Sequence, residues 1–177
     1  MNLPTWITLS RLLGVPLVLG LLLDPSAAHR YWAAGIFVLA AGTDWVDGYL
    51  ARRLDQVTDL GKFLDPLVDK LLVLAPLLAL VELGQVPAWG VFLILARELT
   101  IAGWRVNPAF QRQAVPGASL WGKAKTVVQI LAVTLLLLPL PGGGGTIAIA
   151  IFWLAVAVTW ISGLLYLRPW SGSTAPR

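Results

Sequence analysis

The chain has 177 residues, 58% of them hydrophobic and 12% charged, with a formal net charge of +4 and a mean hydropathy of +0.79. That balance excludes an ordinary soluble domain and points to one polytopic membrane domain over residues 1–177. The absence of cysteine removes disulfides and thiolate metal sites, and the surplus positive charge is assigned to cations facing anionic headgroups rather than to nucleic acid.

Met1 to Ser10 reads as a short, mildly amphipathic interfacial segment with Trp6 as its anchor. The first span is about Ile7 to Leu23. Its apolar run ends at Asp24-Pro25 like a signal peptide, but Arg11 is its one positive charge, so a span is preferred. His29, the single histidine, reads as a loop residue far in sequence from the acidic cluster at 44–69, which argues against zinc. The second span runs from Tyr31 to Leu50 and the third from about Phe63 to Leu83, with Pro66 in its first turn. Gly84 and Pro87 break it from the fourth, Val86 to about Gly103. Asn107 to Leu120 is a polar loop with Pro108, Pro116 and Gly117. The fifth span is about Trp121 to Leu140, Pro141 and Gly142 to Gly145 make a turn, and the sixth is about Ile147 to Leu167. Each has roughly the 20 residues a bilayer requires. The expected fold is therefore all-α integral membrane, six transmembrane helices with a short N-terminal interfacial segment. No internal repeat or heptad run is visible.

Six spans put both termini on one side. Arg11, Arg52, Arg53, Lys62, Arg105, Arg112, Lys123, Lys125, Arg168 and Arg177 fall on that side, and Arg30 falls on the other. The positive-inside rule then makes the termini and the loops on their side cytosolic, in a multi-pass plasma (inner) membrane protein.

The chemistry concentrates between Asp44 and Asp69. Asp44, Asp47, Asp65 and Asp69 are separated by three, eighteen and four positions. Residues three or four apart share a helix face, so Asp44, Asp47 and Ala51 project together, as do Gly61, Asp65 and Asp69. Two helices meeting at that face would gather four carboxylates, which repel unless cations lie between them. Oxygen donors suit two hard divalent cations, Mg2+ or Mn2+. Pairing with Arg52, Arg53, Lys62 and Lys70 is the structural alternative, and it is the reading given to Asp55 and Asp59. Gly48 and Gly61 either admit a nucleotide close to the backbone or let helices pack closely.

The run Asp44-x-x-Asp47-Gly48-x-x-Ala51-Arg52, eight residues, then Gly61-x-x-x-Asp65-x-x-x-Asp69 resembles the signature of the CDP-alcohol phosphatidyltransferases at every fixed position. The resemblance implies transfer of a phosphatidyl group from a CDP-linked lipid to an alcohol, with release of CMP. It implies that Asp44, Asp47, Asp65 and Asp69 are metal ligands, and that Asp69 is also the catalytic base. Arg52 would bind the donor's pyrophosphate, with Gly48, Ala51 and Gly61 lining the CDP-diacylglycerol site. Asn2-Leu-Pro4-Thr5-x-x-Thr8-x-x-Arg11 is similar to the family's N-terminal opening, with Thr5 where an asparagine is usual. Asn2, Thr8 and Arg11 are thereby placed near the donor's phosphates, with a topology-setting charge as the alternative for Arg11.

Two segments narrow the acceptor. Arg97-Glu98 with Arg105, and Gly122-Lys123-Ala-Lys125-Thr126, resemble segments of phosphatidylglycerophosphate synthases. Arg97, Arg105, Lys123 and Lys125 would form an anion pocket for glycerol 3-phosphate. The alternative is topology charges plus an Arg97–Glu98 surface pair. The other function classes weighed are the same chemistry on inositol phosphate, serine or phosphatidylglycerol, a cation-coupled transporter, and an inert scaffold. A transporter would spread its carboxylates along a mid-membrane path, often in repeats. The expected partners are CDP-diacylglycerol, glycerol 3-phosphate and membrane lipids, and a second copy in a homodimer, for which the last span offers packing surface.

Overall fold

The computed structural model describes the backbone of residues 3–24, 26–54, 59–106 and 120–167, and all side chains of these except 3–9, 44–54, 59–63, 65, 105, 106, 120, 166 and 167. Six helices account for it: α1 (Leu3–Leu22), α2 (Ala27–Leu54), α3 (Asp59–Glu82), α4 (Ala88–Val106), α5 (Leu120–Leu137) and α6 (Gly144–Leu167). No strand occurs among the described residues. The helices form two groups of three. In the first, α1 packs on α2 and α3; in the second, α6 packs on α5 and α4. Contacts of α2 with α5, and of α3 with α4 and α5, close the seam between them.

Several boundaries differ from the sequence reading. The N-terminal stretch is no separate segment: from Leu3 it is the opening of α1. His29 lies in the first turn of α2 and not in a loop. Ser26 caps that turn, its Oγ accepting from the His29 N–H at 3.3 Å. The third helix starts at Asp59, so Pro66 lies well inside it. There it deletes one i→i−4 hydrogen bond and leaves the Lys62 carbonyl without that partner. Gly144 and Gly145 belong to α6 and not to the preceding turn. The turns themselves follow glycine chemistry. At the end of α3, Gly84 has φ +68°. Its N–H donates to the Val81 carbonyl and the Gln85 N–H to the Leu80 carbonyl, both at 2.9 Å, the paired bonds of a Schellman cap. Gly142, φ +60°, serves the α5–α6 turn.

Buried side chains separate into two halves along the bundle. The apolar half holds Val18 of α1, Phe37 of α2, Leu77 and Leu80 of α3, Ile94 of α4, Leu137 of α5 and Phe152 of α6. The other half holds Arg11, Arg97, Glu98, Gln129, Thr159 and Ser162, all buried. Close helix approach occurs at small residues. A Cβ on Gly90 would lie 2.4 Å from Phe152 Cε1, so α4 and α6 meet there through the absent side chain. Gly14 brings α1 against Ala40 of α2, where a Cβ would be 3.4 Å from the Ala40 Cβ.

At the apolar end Arg30 joins three elements. It donates to the Leu136 and Leu137 carbonyls of α5 at 2.6 and 3.0 Å and to Gln85 Oε1 after α3 at 2.7 Å. A cation at a helix C-terminus satisfies carbonyls that lack an intrahelical donor. The sequence marked Arg30 only as the one cation on its side.

Outside, every helix displays large apolar side chains. Leu13, Trp32, Leu39, Leu78, Trp89, Val127, Leu154 and Leu164 are all exposed. So continuous an apolar surface is what water does not solvate well. Within α6, Gly144–Leu165 is long and apolar enough to cross a membrane, with a mean hydropathy of 2.2.

The Gly90 contact gives a first test. Gly90→Ala forces Phe152 or the α4 backbone to move, and overpacking of this kind costs about 1–3 kcal/mol. The expected outcome is a lowered thermal midpoint in detergent, whereas Gly103→Ala, whose Cβ meets nothing within 4 Å, leaves the midpoint unchanged.

Candidate active site

The carboxylate motif occupies the second half of α2 and the first half of α3. Asp44, Asp47, Gly48, Ala51 and Arg52 lie on continuous α2 helix, and Gly61, Asp65 and Asp69 on continuous α3 helix. Their helical registers are those the spacing required. α2 and α3 contact each other and both pack on α1. Of these eight side chains, Asp69 is the described one; the other seven, with Asn2, Thr8 and Arg105, lie outside the described side chains. The metal and donor contacts expected of them are accordingly matters of proposal.

Asp69 is held from α1. Arg11 Nη1 donates to Asp69 Oδ1 at 2.9 Å, with the arginine side chain 1% and the aspartate 47% exposed. Arg11 is therefore no surface charge that only sets topology. It lies inside the three-helix group and fixes the Asp69 carboxylate while leaving it half open to solvent. The all-oxygen donor set of Asp44, Asp47, Asp65 and Asp69 fits hard divalent cations, and no thiol exists to compete.

A second polar centre lies between α4, α5 and α6. Glu98 Oε1 accepts from Lys125 Nζ at 2.5 Å and from Arg97 Nη1 at 3.2 Å. Arg97 Nη2 donates to Ser162 Oγ of α6 at 3.0 Å. Arg97 passes Gly163 so closely that a Cβ there would lie 3.0 Å from its Cγ and Nε. The Arg97–Glu98 surface pair considered from sequence is in fact buried, at 8% and 7% exposure. One helical turn from Lys125, Gln129 Nε2 donates to Thr159 Oγ1 at 2.9 Å, a further α5–α6 tie. Lys70, next to Asp69 on α3, lies within electrostatic reach of both Glu98 and Lys125.

The structure thus brings Arg97 and Lys125 together, as the sequence reading expected, and adds Glu98 between them. Lys123, two positions from Lys125, is exposed. Glu98, Ser162 and Gly163 were missed as site residues. The available signal was a charged Arg-Glu pair inside the apolar run Phe92–Ile101, where ionisable groups are expensive and need a reason. Nothing in the sequence of α6 marks Ser162 or Gly163.

Fold and site together define a class: among the described residues, an all-helical protein with apolar side chains on its outside, whose motif-bearing helices pack against helices that hold a buried Arg–Glu–Lys cluster. Residues 1–161 match the CDP-alcohol phosphatidyltransferase family model, and the chain belongs to that family. It is 41% identical over 181 residues to the CDP-diacylglycerol–glycerol-3-phosphate 3-phosphatidyltransferase of Bacillus subtilis, covering 93% of each chain. It is 36% identical over 171 residues to the protein of that name in Rickettsia bellii, covering 94% of each. A probable phosphatidylglycerophosphate synthase of Mycobacterium tuberculosis is 40% identical over 169 residues, covering 94% of this chain and 80% of that one.

The Arg11–Asp69 pair is testable on its own. Arg11→Ala is expected to cost about 1–3 kcal/mol of stability, less than for a fully buried pair because Asp69 is half exposed. It should also lower turnover steeply. Arg11→Lys keeps the charge but loses the planar fork, and should fall between. Thermal unfolding and turnover measured on the same preparations check both.

Proposed function

We propose that this chain transfers the phosphatidyl group of CDP-diacylglycerol to sn-glycerol 3-phosphate, giving phosphatidylglycerol phosphate and CMP. The observation that carries the acceptor is the buried Arg97–Glu98–Lys125 centre. Among the described residues two cations share one carboxylate there, so positive charge is left over in a buried place. Such charge is costly without an anion, and an acceptor bearing its own phosphate supplies one. The full-length likeness to enzymes named for this reaction supports the same substrate.

In the proposed reaction a hydroxyl of glycerol 3-phosphate attacks the phosphorus that carries diacylglycerol. The bond from that phosphorus to the CMP oxygen breaks, and Asp69 takes the hydroxyl proton. Arg11 keeps the Asp69 carboxylate in place throughout. Arg52 steadies the donor's pyrophosphate, with Asn2 and Thr8 beside it and Gly48, Ala51 and Gly61 presenting a surface without bulk. Arg97 and Lys125 bind the acceptor's phosphate, with Arg105 and Lys123 adding charge at its rim. Asp44, Asp47 and Asp65, with Asp69, would hold two divalent cations, Mg2+ or Mn2+, which when bound neutralise charge on the donor's pyrophosphate.

The proposed setting is a multi-pass membrane protein with six spans and the carboxylate motif facing the cytosol. Exposed apolar side chains on all six helices support it. So does the excess of Lys and Arg on the side of the termini.

Purified enzyme given CDP-diacylglycerol and a panel of alcohols should make lipid product from glycerol 3-phosphate far faster than from glycerol, serine or inositol. Asp44→Asn, Asp47→Asn and Asp65→Asn should each abolish transfer in protein that still folds, and excess EDTA should stop the parent. Near-normal turnover in any of these variants removes that residue from the metal site. Persistence in EDTA sinks the metal requirement.

Topology is checked separately. A cysteine placed at Ser119 should react only with reagents that reach the cytosol, and one at Gly143 only from the opposite side. The chain has no native cysteine to confuse the readout. Labelling of both from one side overturns the six-span arrangement.

A further inference from the structure

The last helix has no motif of its own, yet it touches the cation centre at two adjacent positions. Ser162 Oγ accepts the Arg97 Nη2 hydrogen bond, and Gly163 supplies the gap through which Arg97 passes. Both residues lie just past the stretch that matches the family model. On the opposite side Glu98 accepts from Arg97 and Lys125 through one oxygen. Arg97 is thus fixed at both of its terminal nitrogens, Nη1 by α4 and Nη2 by α6. Its Nε is buried with no acceptor among the described residues. Lys125 is fixed by the same carboxylate.

We propose that Glu98 and Ser162 are the positioning residues of the acceptor subsite, setting the spacing and direction of Arg97 and Lys125 so that together they fit one phosphate group. The inference rests on the reading of Arg97 and Lys125 as phosphate-binding. Neither Glu98 nor Ser162 touches substrate in this scheme. Glu98 carries a charge that would repel a phosphate placed against it, so its part is to hold the two cations apart and aimed. Long cationic side chains lose rotamer freedom when they bind an anion, and holding them in place beforehand lowers that cost. The last helix thereby becomes a specificity element for the acceptor and not only a packing surface.

Steady-state constants for both substrates, with thermal midpoints, in the parent, Glu98→Gln, Ser162→Ala, Ser162→Thr and Thr159→Ala test this. Ser162→Ala should raise KM for glycerol 3-phosphate by roughly one decade, the scale of one hydrogen bond to a charged group. KM for CDP-diacylglycerol and kcat should move much less. Ser162→Thr, which keeps the hydroxyl, should restore most of the loss. Glu98→Gln should raise the same KM by about a decade or more. Combined with Lys125→Ala it should add less than it does in the parent, because one of the two contacts of Glu98 is then already gone. Thr159→Ala breaks the neighbouring Gln129 tie without touching either cation, so it should lower the thermal midpoint but not shift the acceptor KM.

Unchanged acceptor KM in Ser162→Ala, equal shifts for both substrates, or an equal KM shift in Thr159→Ala each overturn the inference. If Glu98→Gln does not fold, the Ser162 pair of variants decides. A parent that ignores glycerol 3-phosphate overturns the proposed reaction and this inference together. A parent that uses it, with the variants unaltered, overturns the inference alone.

Discussion

The ion pair between Glu98 and Lys125 joins α4 to α5 in the interior of the bundle, and the polar half of the structure depends on it. Removing two charges from water costs several kcal/mol each, so such a pair persists only with close geometry and further hydrogen bonds. Both conditions hold. The contact is 2.5 Å, and Arg97 adds a second donor to the same oxygen while reaching across to Ser162. α4, α5 and α6 are tied at one level by four side chains, Arg97, Glu98, Lys125 and Ser162. Arg11 and Asp69 do the equivalent for α1 and α3.

How much of this the sequence disclosed depends on range. The order of the described helices was legible because apolar runs are separated by Gly, Pro and polar stretches. The carboxylate registers were legible because spacings of three and four mean the same thing on any helix. Boundaries slipped where capping outweighed hydropathy. Ser26 starts α2 four residues before the apolar run, which is why His29 is helical. What the sequence did not disclose is pairing between distant residues. Arg11 meets Asp69 across 58 positions and Arg97 meets Ser162 across 65, and no local pattern encodes either contact. Glu98 was discounted because adjacent opposite charges usually form a solvated pair; burial reverses that reading.

The segregation of the interior follows from the same pattern. Phe37, Leu77, Leu80, Leu137 and Phe152 fill one half, where close packing alone holds the helices together. Polar and charged side chains fill the other, where each must find a partner. Cohesion that needs no charge pairing is confined to the apolar half. Gly90 and Gly14 matter for that reason: they let backbones approach where dispersion contacts are the main cohesion.

Arg30 gives this arrangement a mechanical character. Its guanidinium fastens α2 to the end of α5 and to the turn after α3, some 14 residues of helix, about 20 Å, from Asp44. A helix end frays where its last carbonyls lack donors, and here one guanidinium supplies donors to the Leu136 and Leu137 carbonyls and to Gln85 in the turn beside them. The three elements are thereby spliced: none can unwind at this end without stripping a hydrogen bond from the other two. An arginine remote from the carboxylate motif thus guards the far end of the fold against fraying.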